Sequence, residues 1–289
     1  MSTSDESSFH PLHAEFRAVV SAELSAAGLD VLDWEQNGVK VRPRSGNSQY
    51  IGLANLHRRA TSADRAEWPA MVRAFIGRLP REKAGDIPAD LGAVADRLRP
   101  RLGRPFDRAR PHPWGLPLPG TGLEVTLVID FPHTMAYVTG EMLARSRKRG
   151  EDLLDIALEN LRKVTPNEYF ESASDELDIY VGHAGDGYDA ARALLVEELM
   201  PDSPAGFWVS VPSREDLVVW PVSFAALGRV HVMKLFAEEN FREHPYPVSD
   251  EVFWVWNGVW YPFEITLKSN DLVIDAPEPF GEALRELRG

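Results

Sequence analysis

Asp186 and Asp189, separated only by Gly187 and Tyr188, are the residues whose types and spacing could most readily do chemistry. Two carboxylates three residues apart beside a phenol can hold a hard cation, or divide general-acid and general-base work between them. His183 stands three residues before Asp186 at the end of a predicted strand, where an ionisable side chain could face a pocket. Arg214 could pair either carboxylate from across the fold through a bidentate contact. Asp186, Tyr188, Asp189, His183 and Arg214 thus make one candidate set for a hydrolase or a metal-assisted enzyme, with Asp186 and Asp189 as the metal ligands. The same spacing also has a purely structural use. Asp186 as an N-cap and Asp189 in the first turn would satisfy free backbone amides and face the positive end of a helix dipole.

Other routes to catalysis find less support. The chain has no cysteine, which removes disulfides, thiolate nucleophiles and cysteine-held metals together. Its eight histidines include no HExxH pattern, and Ser210 and Ser213 lack the local signature of a nucleophile elbow. Gly185 and Gly187 lack the third glycine and the β-α-β frame of a dinucleotide loop, so no cofactor is expected. The densest aromatic stretch is Phe253, Trp254, Trp256, Trp260, Tyr261 and Phe263. Alternate side chains of a strand face opposite sides, so Trp254 and Trp256 share one face. Trp254, Trp256, Trp260 and Tyr261 are the candidate binding residues, for a protein partner or for self-association, if that face does not pack into the core.

The elements that would position these residues follow from periodicity. Apolar residues at three- and four-residue steps predict a helix over residues 12–27, stopped by Gly28. A hairpin follows over 29–34 and 39–41 around Asn37-Gly38, a pair suited to a type I′ turn. A third strand over 50–56 and a helix over 68–79 complete an N-terminal α-β-β-β-α module, residues 1–79. Residues 80–122 hold eight of the 22 prolines and six of the 21 glycines, and read as a Pro/Gly/Arg-rich connector with one short helix over 91–98. Residues 123–289 form a larger module of hairpins and helices. Strands are expected at 123–130, 135–138, 177–181, 207–211 and 217–220, helices at 153–161, 188–200 and 222–241, and a last hairpin around Asn257-Gly258. Short helices and hairpins without regular β-α-β units indicate an α+β fold.

Charge restricts the partners. Residues 1–120 carry 17 Lys and Arg against 14 Asp and Glu, and residues 121–289 carry 14 against 30, within a net charge of −13. The acidic second half repels phosphate backbones, and the basic run from Arg97 to Arg110 has Phe106 as its single interleaved aromatic, which argues against nucleic acid. Those arginines either solvate the connector or dock on the acidic half. No apolar stretch reads as a signal peptide or a membrane span, so a cytoplasmic location off the membrane is expected.

The run from Gly185 to Arg192, with the preceding strand residues 177–180 and Leu194-Leu195 after it, resembles the aspartate-glycine-tyrosine-aspartate motif of the YtpQ-like family of bacterial proteins. Residues 156–161, 211–217 and 256–262 are similar to that family's helix, proline-containing turn and final hairpin, with Glu215 where the family carries an aspartate. The resemblance covers most of residues 30–265 and implies a shared fold and a cytoplasmic bacterial setting. The family has no established activity to carry over. The expectation is therefore a non-enzymatic adaptor, chaperone-like or regulatory protein that binds another protein, with the enzyme built on Asp186 and Asp189 as the alternative.

Overall fold

The structure, a computed structural model, describes residues 13–35, 38–43, 49–61, 63–78, 88, 90–106, 113–131, 134–174, 176–244, 246–268 and 271–287. The fold is α+β, and the chain divides into a unit Met1–Lys83 and a unit Ala84–Gly289.

The first unit runs α1 (Ala14–Ala26), β1 (Leu29–Glu35), β2 (Gly38–Pro43), β3 (Gln49–Gly52), α2 (Ala54–Thr61) and α3 (Trp68–Gly77), with β1-β2-β3 antiparallel. Phe16, Val20 and Leu24, spaced to one side of α1, are buried together with Val39, Val41, Ile51 and Trp68. The expected third strand stops at Gly52. Leu53, Leu56 and Ala60 are buried at three- and four-residue steps, a period that only a helix can satisfy, and α2 results. Asn37 of the first predicted turn lies outside the described residues.

The expected connector is only partly one. The division falls after Lys83, and residues 91–103 and 113–118 belong to the second unit. A 3₁₀ turn spans Leu91–Arg97 and leads into β4 (Leu98–Gly103), where Leu98, Pro100 and Leu102 alternate inward. β5 (Gly115–Leu118) also carries a proline. Among the described residues both strands pair only with β6 (Leu123–Phe131), so each proline lies in an edge strand, where a missing N–H is tolerated. β7 (Thr134–Tyr137) shares the second edge of β6 with β5.

Next come α4 (Gly140–Arg145), α5 (Gly150–Val164), β8 (Phe170–Ser172), β9 (Tyr180–Gly182), α6 (Asp189–Arg192) and α7 (Val196–Leu199). They are followed by β10 (Phe207–Ser210), β11 (Leu217–Pro221), α8 (Phe224–Leu227), α9 (His231–Glu243), β12 (Val252–Trp256) and β13 (Val259–Pro262). The chain closes with β14 (Glu264–Lys268), β15 (Asp271–Asp275) and α10 (Phe280–Glu286). Two helices expected as continuous are broken. Residues 188–200 split into α6, a 3₁₀ turn and α7, and residues 222–241 divide around Gly228.

An antiparallel sheet of order β13-β12-β10-β11-β9-β8 organises this unit. Phe207, Val209, Leu217, Val219, Phe253 and Val255 face a core shared with β4, β6 and α5. The alternate residues Trp208, Val218, Trp220, Val252 and Trp254 face a second core with α8, α9, β14 and α10. Both faces of the central strands are thus dry, which explains why they read as nearly unbroken apolar runs. The β12–β13 turn forms as the sequence indicates, with Asn257 and Gly258 both at positive φ, 51° and 74°.

Gly206, before β10, also has positive φ, 74°, and a Cβ there would sit 2.2 Å from the Val255 carbonyl oxygen. Gly206→Ala should therefore lower stability by about 2–5 kcal/mol, the left-handed cost plus overpacking. Gly258→Ala, which meets open space, should cost only about 1–2 kcal/mol. Urea denaturation of the two variants measures the difference.

Candidate functional site

The candidate motif lies between β9 and α6, against the C-terminal end of α5. Asp186 sits between Gly185 and Gly187, both at positive φ, in a loop that returns its carboxylate toward the protein. The group waiting there is Arg192, whose side chain is fully buried. Its Nη1 and Nη2 donate to Asp186 Oδ1 and Oδ2 at 2.8 and 2.7 Å, a bidentate pair. Nη1 also donates to Asp189 Oδ1 at 3.2 Å, and Nε donates to Thr165 Oγ1 at 3.0 Å. Thr165 caps the end of α5 and donates its own hydroxyl proton to the Leu161 carbonyl at 2.7 Å. The guanidinium is thereby held at the negative end of the α5 dipole. The Tyr169 ring lies 5.1 Å from the guanidinium carbon, completing the enclosure.

Asp189 is fully buried. Its Oδ1 accepts from the Ala184 amide at 2.8 Å, from the Tyr169 hydroxyl at 2.9 Å and from Arg192. Asp186 is not the helix N-cap that the spacing predicted, whereas Asp189 stands in the first turn of α6 as expected. Tyr188 occupies the N-cap position of α6 without a side-chain cap, Asp186 accepts instead from the Tyr188 amide at 3.0 Å, and Asp189 reaches backward to residue 184. The physical reason is the arginine: the desolvation of a buried guanidinium must be compensated, and the two carboxylates turn to it while still accepting from the Tyr188 and Ala184 amides.

Arg214 does not pair Asp186 or Asp189, contrary to expectation. Its guanidinium lies 3.3 Å from the Tyr246 ring centroid, contacts Glu215 Oε1 at 3.0 Å and packs beside Gly187, while its backbone carbonyl accepts from the Ala190 amide at 3.1 Å. His183 is exposed, with Nδ1 3.3 Å from the Glu215 carbonyl and 3.9 Å from Asp189 Oδ2. Tyr188 is buried beside Leu161, Ala191 and Leu195 and points away from the aspartates' partners. Among the described residues no three His, Asp or Glu side chains converge as a metal's ligand set would.

Ser213 and Asp216, with His244, form a trio whose order differs from that of a serine relay. The Ser213 hydroxyl donates to Asp216 Oδ2, and His244 Nδ1 meets that same oxygen at 2.7 Å. The carboxylate thus stands between hydroxyl and imidazole, whereas a base must touch the nucleophile itself. Ser210 is buried.

The aromatic hairpin serves the core first. Trp254 is fully buried and Trp260 nearly so, so neither is available to a partner as expected. Trp254 stacks on Trp256 and Tyr261 at centroid distances of 5.3 and 4.9 Å, and donates its indole N–H to the Ala205 carbonyl at 2.8 Å. Trp256 and Tyr261 are partly buried. Trp256 lines a cleft of about 330 Å³ with Glu197, Asp202 and Glu286. The basic run is likewise engaged: Arg104 lies over Phe241 at 4.8 Å and meets the Val248 carbonyl and Asp250, so part of it docks on acidic residues. Arg108 and Arg110 fall outside the described residues.

The larger opening, about 810 Å³, was not indicated by any motif. It lies between α9, β12 and β14, and includes Leu235, 49% exposed, beside Lys234, Glu238, Glu251 and Glu264. The one sequence signal was the position of Leu235 on α9, off the stripe of Met233 and Ala237 that faces the core.

Arg192→Ala should destabilise the protein by about 3–5 kcal/mol, because it leaves Asp189 buried without its cation. Replacing the pair together, as in Arg192→Met with Asp189→Leu, should cost less than the sum of the single changes in a double-mutant cycle. A pH series gives a separate check. Burial raises the Tyr169 phenol above the ordinary tyrosine range and the Asp189 carboxylate adds to it, and burial also raises Tyr188. Both phenols stay protonated in the native state while unfolded tyrosines ionise near about pH 10, so stability holds below that pH and falls above it. Burial also pushes Asp186 upward, but the bonds from Arg192 and the Tyr188 amide outweigh it and hold the carboxyl below its ordinary value. Its contribution is present at neutral pH and is lost as acid protonates it, below about pH 4. Melting temperatures from pH 2 to 12 should trace both limbs, and Tyr169→Phe should flatten the alkaline one.

No protein-family model matches the sequence, and no curated protein or solved structure matches it.

Proposed function

We propose that this is a non-enzymatic protein-binding protein of adaptor, chaperone-like or regulatory type, a cytoplasmic relative of the YtpQ-like family, and that it binds through the cleft between α9 and β14. The observation that carries this reading is Leu235, a large apolar side chain half exposed at the mouth of an open cleft. Isolated exposed leucines are ordinary, but one set in a concave surface beside the buried Phe253 and Phe263 offers a partner an apolar anchor. The residues that could have served catalysis are occupied elsewhere: Asp186 and Asp189 neutralise Arg192, and Arg214 stacks on Tyr246. Among the described residues no helix is long and apolar enough to cross a membrane.

A photoreactive amino acid placed at position 235 should crosslink to a second polypeptide in the host cell, while the same group at the exposed Val164 should not. Adducts absent from 235, or equal at the two positions, would remove the support for this cleft.

The alternative of a hydrolase or metal-assisted enzyme retains one observation. Asp189 Oδ2 is buried without a hydrogen-bond partner among the described residues, 3.9 Å from His183 Nδ1. Thermal unfolding of the wild type and of Asp189→Asn, with and without millimolar magnesium, manganese and calcium, tests it. The expected result is a lower melting temperature for the variant and no metal response in either. A metal-dependent rise lost in Asp189→Asn would shift the assignment to the enzyme, since a ligand bound only by the folded state must stabilise it.

A further inference from the structure

Three consecutive residues, Glu264, Ile265 and Thr266, line the α9–β14 cleft. Successive side chains of a strand face opposite sides, so three in a row place the cleft along the backbone of β14 and not against one face alone. One edge of β14 is bonded to β15 in register, from Glu264 with Asp275 to Lys268 with Asp271. Among the described residues no further strand pairs with β14, so the opposite edge keeps main-chain donors and acceptors for another strand.

The charge of the cleft is unbalanced. Its charged residues are three glutamates and one lysine. Lys234 is already engaged, with Nζ 3.0 Å from Glu251, 3.5 Å from Glu238 and 2.8 Å from the Asp250 carbonyl. Glu264 stands directly opposite Asp275 across the hairpin, and among the described residues no cation pairs with either. Like charges facing each other across strands are destabilising. A cation placed there by a partner would relieve that repulsion.

We propose that the cleft binds an extended peptide segment that adds as a strand to the open edge of β14. The segment rests an apolar side chain on Leu235 and presents lysine or arginine to Glu264. This inference rests on the protein-binding reading and goes beyond it by assigning the partner's conformation and charge. Strand addition takes affinity from main-chain hydrogen bonds and specificity from alternate side chains, which matches an apolar-basic alternation.

The test is fluorescence anisotropy with labelled hexapeptides that alternate lysine with leucine, glutamate with leucine, or lysine with serine. The lysine-leucine peptide should bind, and the other two should bind at least tenfold more weakly. Leu235→Asp and Glu264→Lys should each weaken the lysine-leucine peptide at least tenfold, as should N-methylation of alternate amides along one edge of the peptide. Glu171→Lys, an exposed charge change on β8, should leave binding unchanged, which separates the cleft from the acidity of the whole surface. If Glu171→Lys weakens binding as much as Glu264→Lys, or if N-methylation has no effect, the proposal falls. Binding of the glutamate-leucine peptide that is lost in Leu235→Asp would overturn the basic specificity and leave the cleft a protein-binding site. A concentration-dependent dimer abolished by Glu264→Lys would assign the edge to a second copy of the chain and overturn the peptide assignment. Failure of all three peptides, together with absent crosslinks from position 235, would remove both readings.

Discussion

A guanidinium with no exposed surface, that of Arg192, is the constraint on which the middle of the second unit depends. Burying a cation costs several kcal/mol unless fixed partners replace its water. The partners come from three places in the chain: Thr165 at the end of α5, Asp186 in the loop after β9, and Asp189 at the start of α6. Satisfying one cation therefore fixes the direction in which the chain leaves α5, the path of residues 183–188 and the starting point of α6. Tyr169 closes the arrangement by covering the guanidinium and donating to Asp189. A motif that reads as chemistry is, in its observed contacts, a neutralised charge that ties three segments together.

The second constraint is the sheet of six strands, covered on both faces. Its central strands place alternate large side chains into two separate cores, and the aromatic hairpin is part of that packing. Trp254 is surrounded by Trp256, Tyr261 and Phe280, so its area is already removed from water within one chain. Once the aromatic residues and the buried carboxylates are committed to stability, recognition has to use what the cores leave over. That remainder is the half-exposed Leu235, the edge of β14 and the glutamates around them.

Charge is distributed in the same way. The arginines of residues 97–104 are engaged within the unit, Arg97 over Phe131 and Arg104 over Phe241. Glu264 in the cleft and Asp275 opposite it have no such cation among the described residues. The −16 of the second half is therefore not uniform: it includes two carboxylates that share the Arg192 cation and two on the β14–β15 hairpin that have none among the described residues.

Local pattern determined a good deal about this chain. Asn257-Gly258 specified its turn because few residue pairs accept two positive φ values, and the four-residue spacing of Phe16, Val20 and Leu24 specified α1. The antiparallel strands β10, β11 and β12 and the α+β class were legible for the same reason. The boundaries that failed are those where two periods fit the same few residues, as at 50–56, or where an edge strand tolerates proline, as at β4. The role of Asp186 and Asp189 was beyond local reading. Arg192 is visible in the sequence, set among Ala190, Ala191 and Ala193, but whether a guanidinium is buried depends on Thr165 and Tyr169, more than 20 residues away. Spacing identifies which side chains can share a turn of helix; only the tertiary fold decides which charge lies within 3 Å of them, and that distance determines whether a pair of carboxylates binds a ligand or balances an arginine.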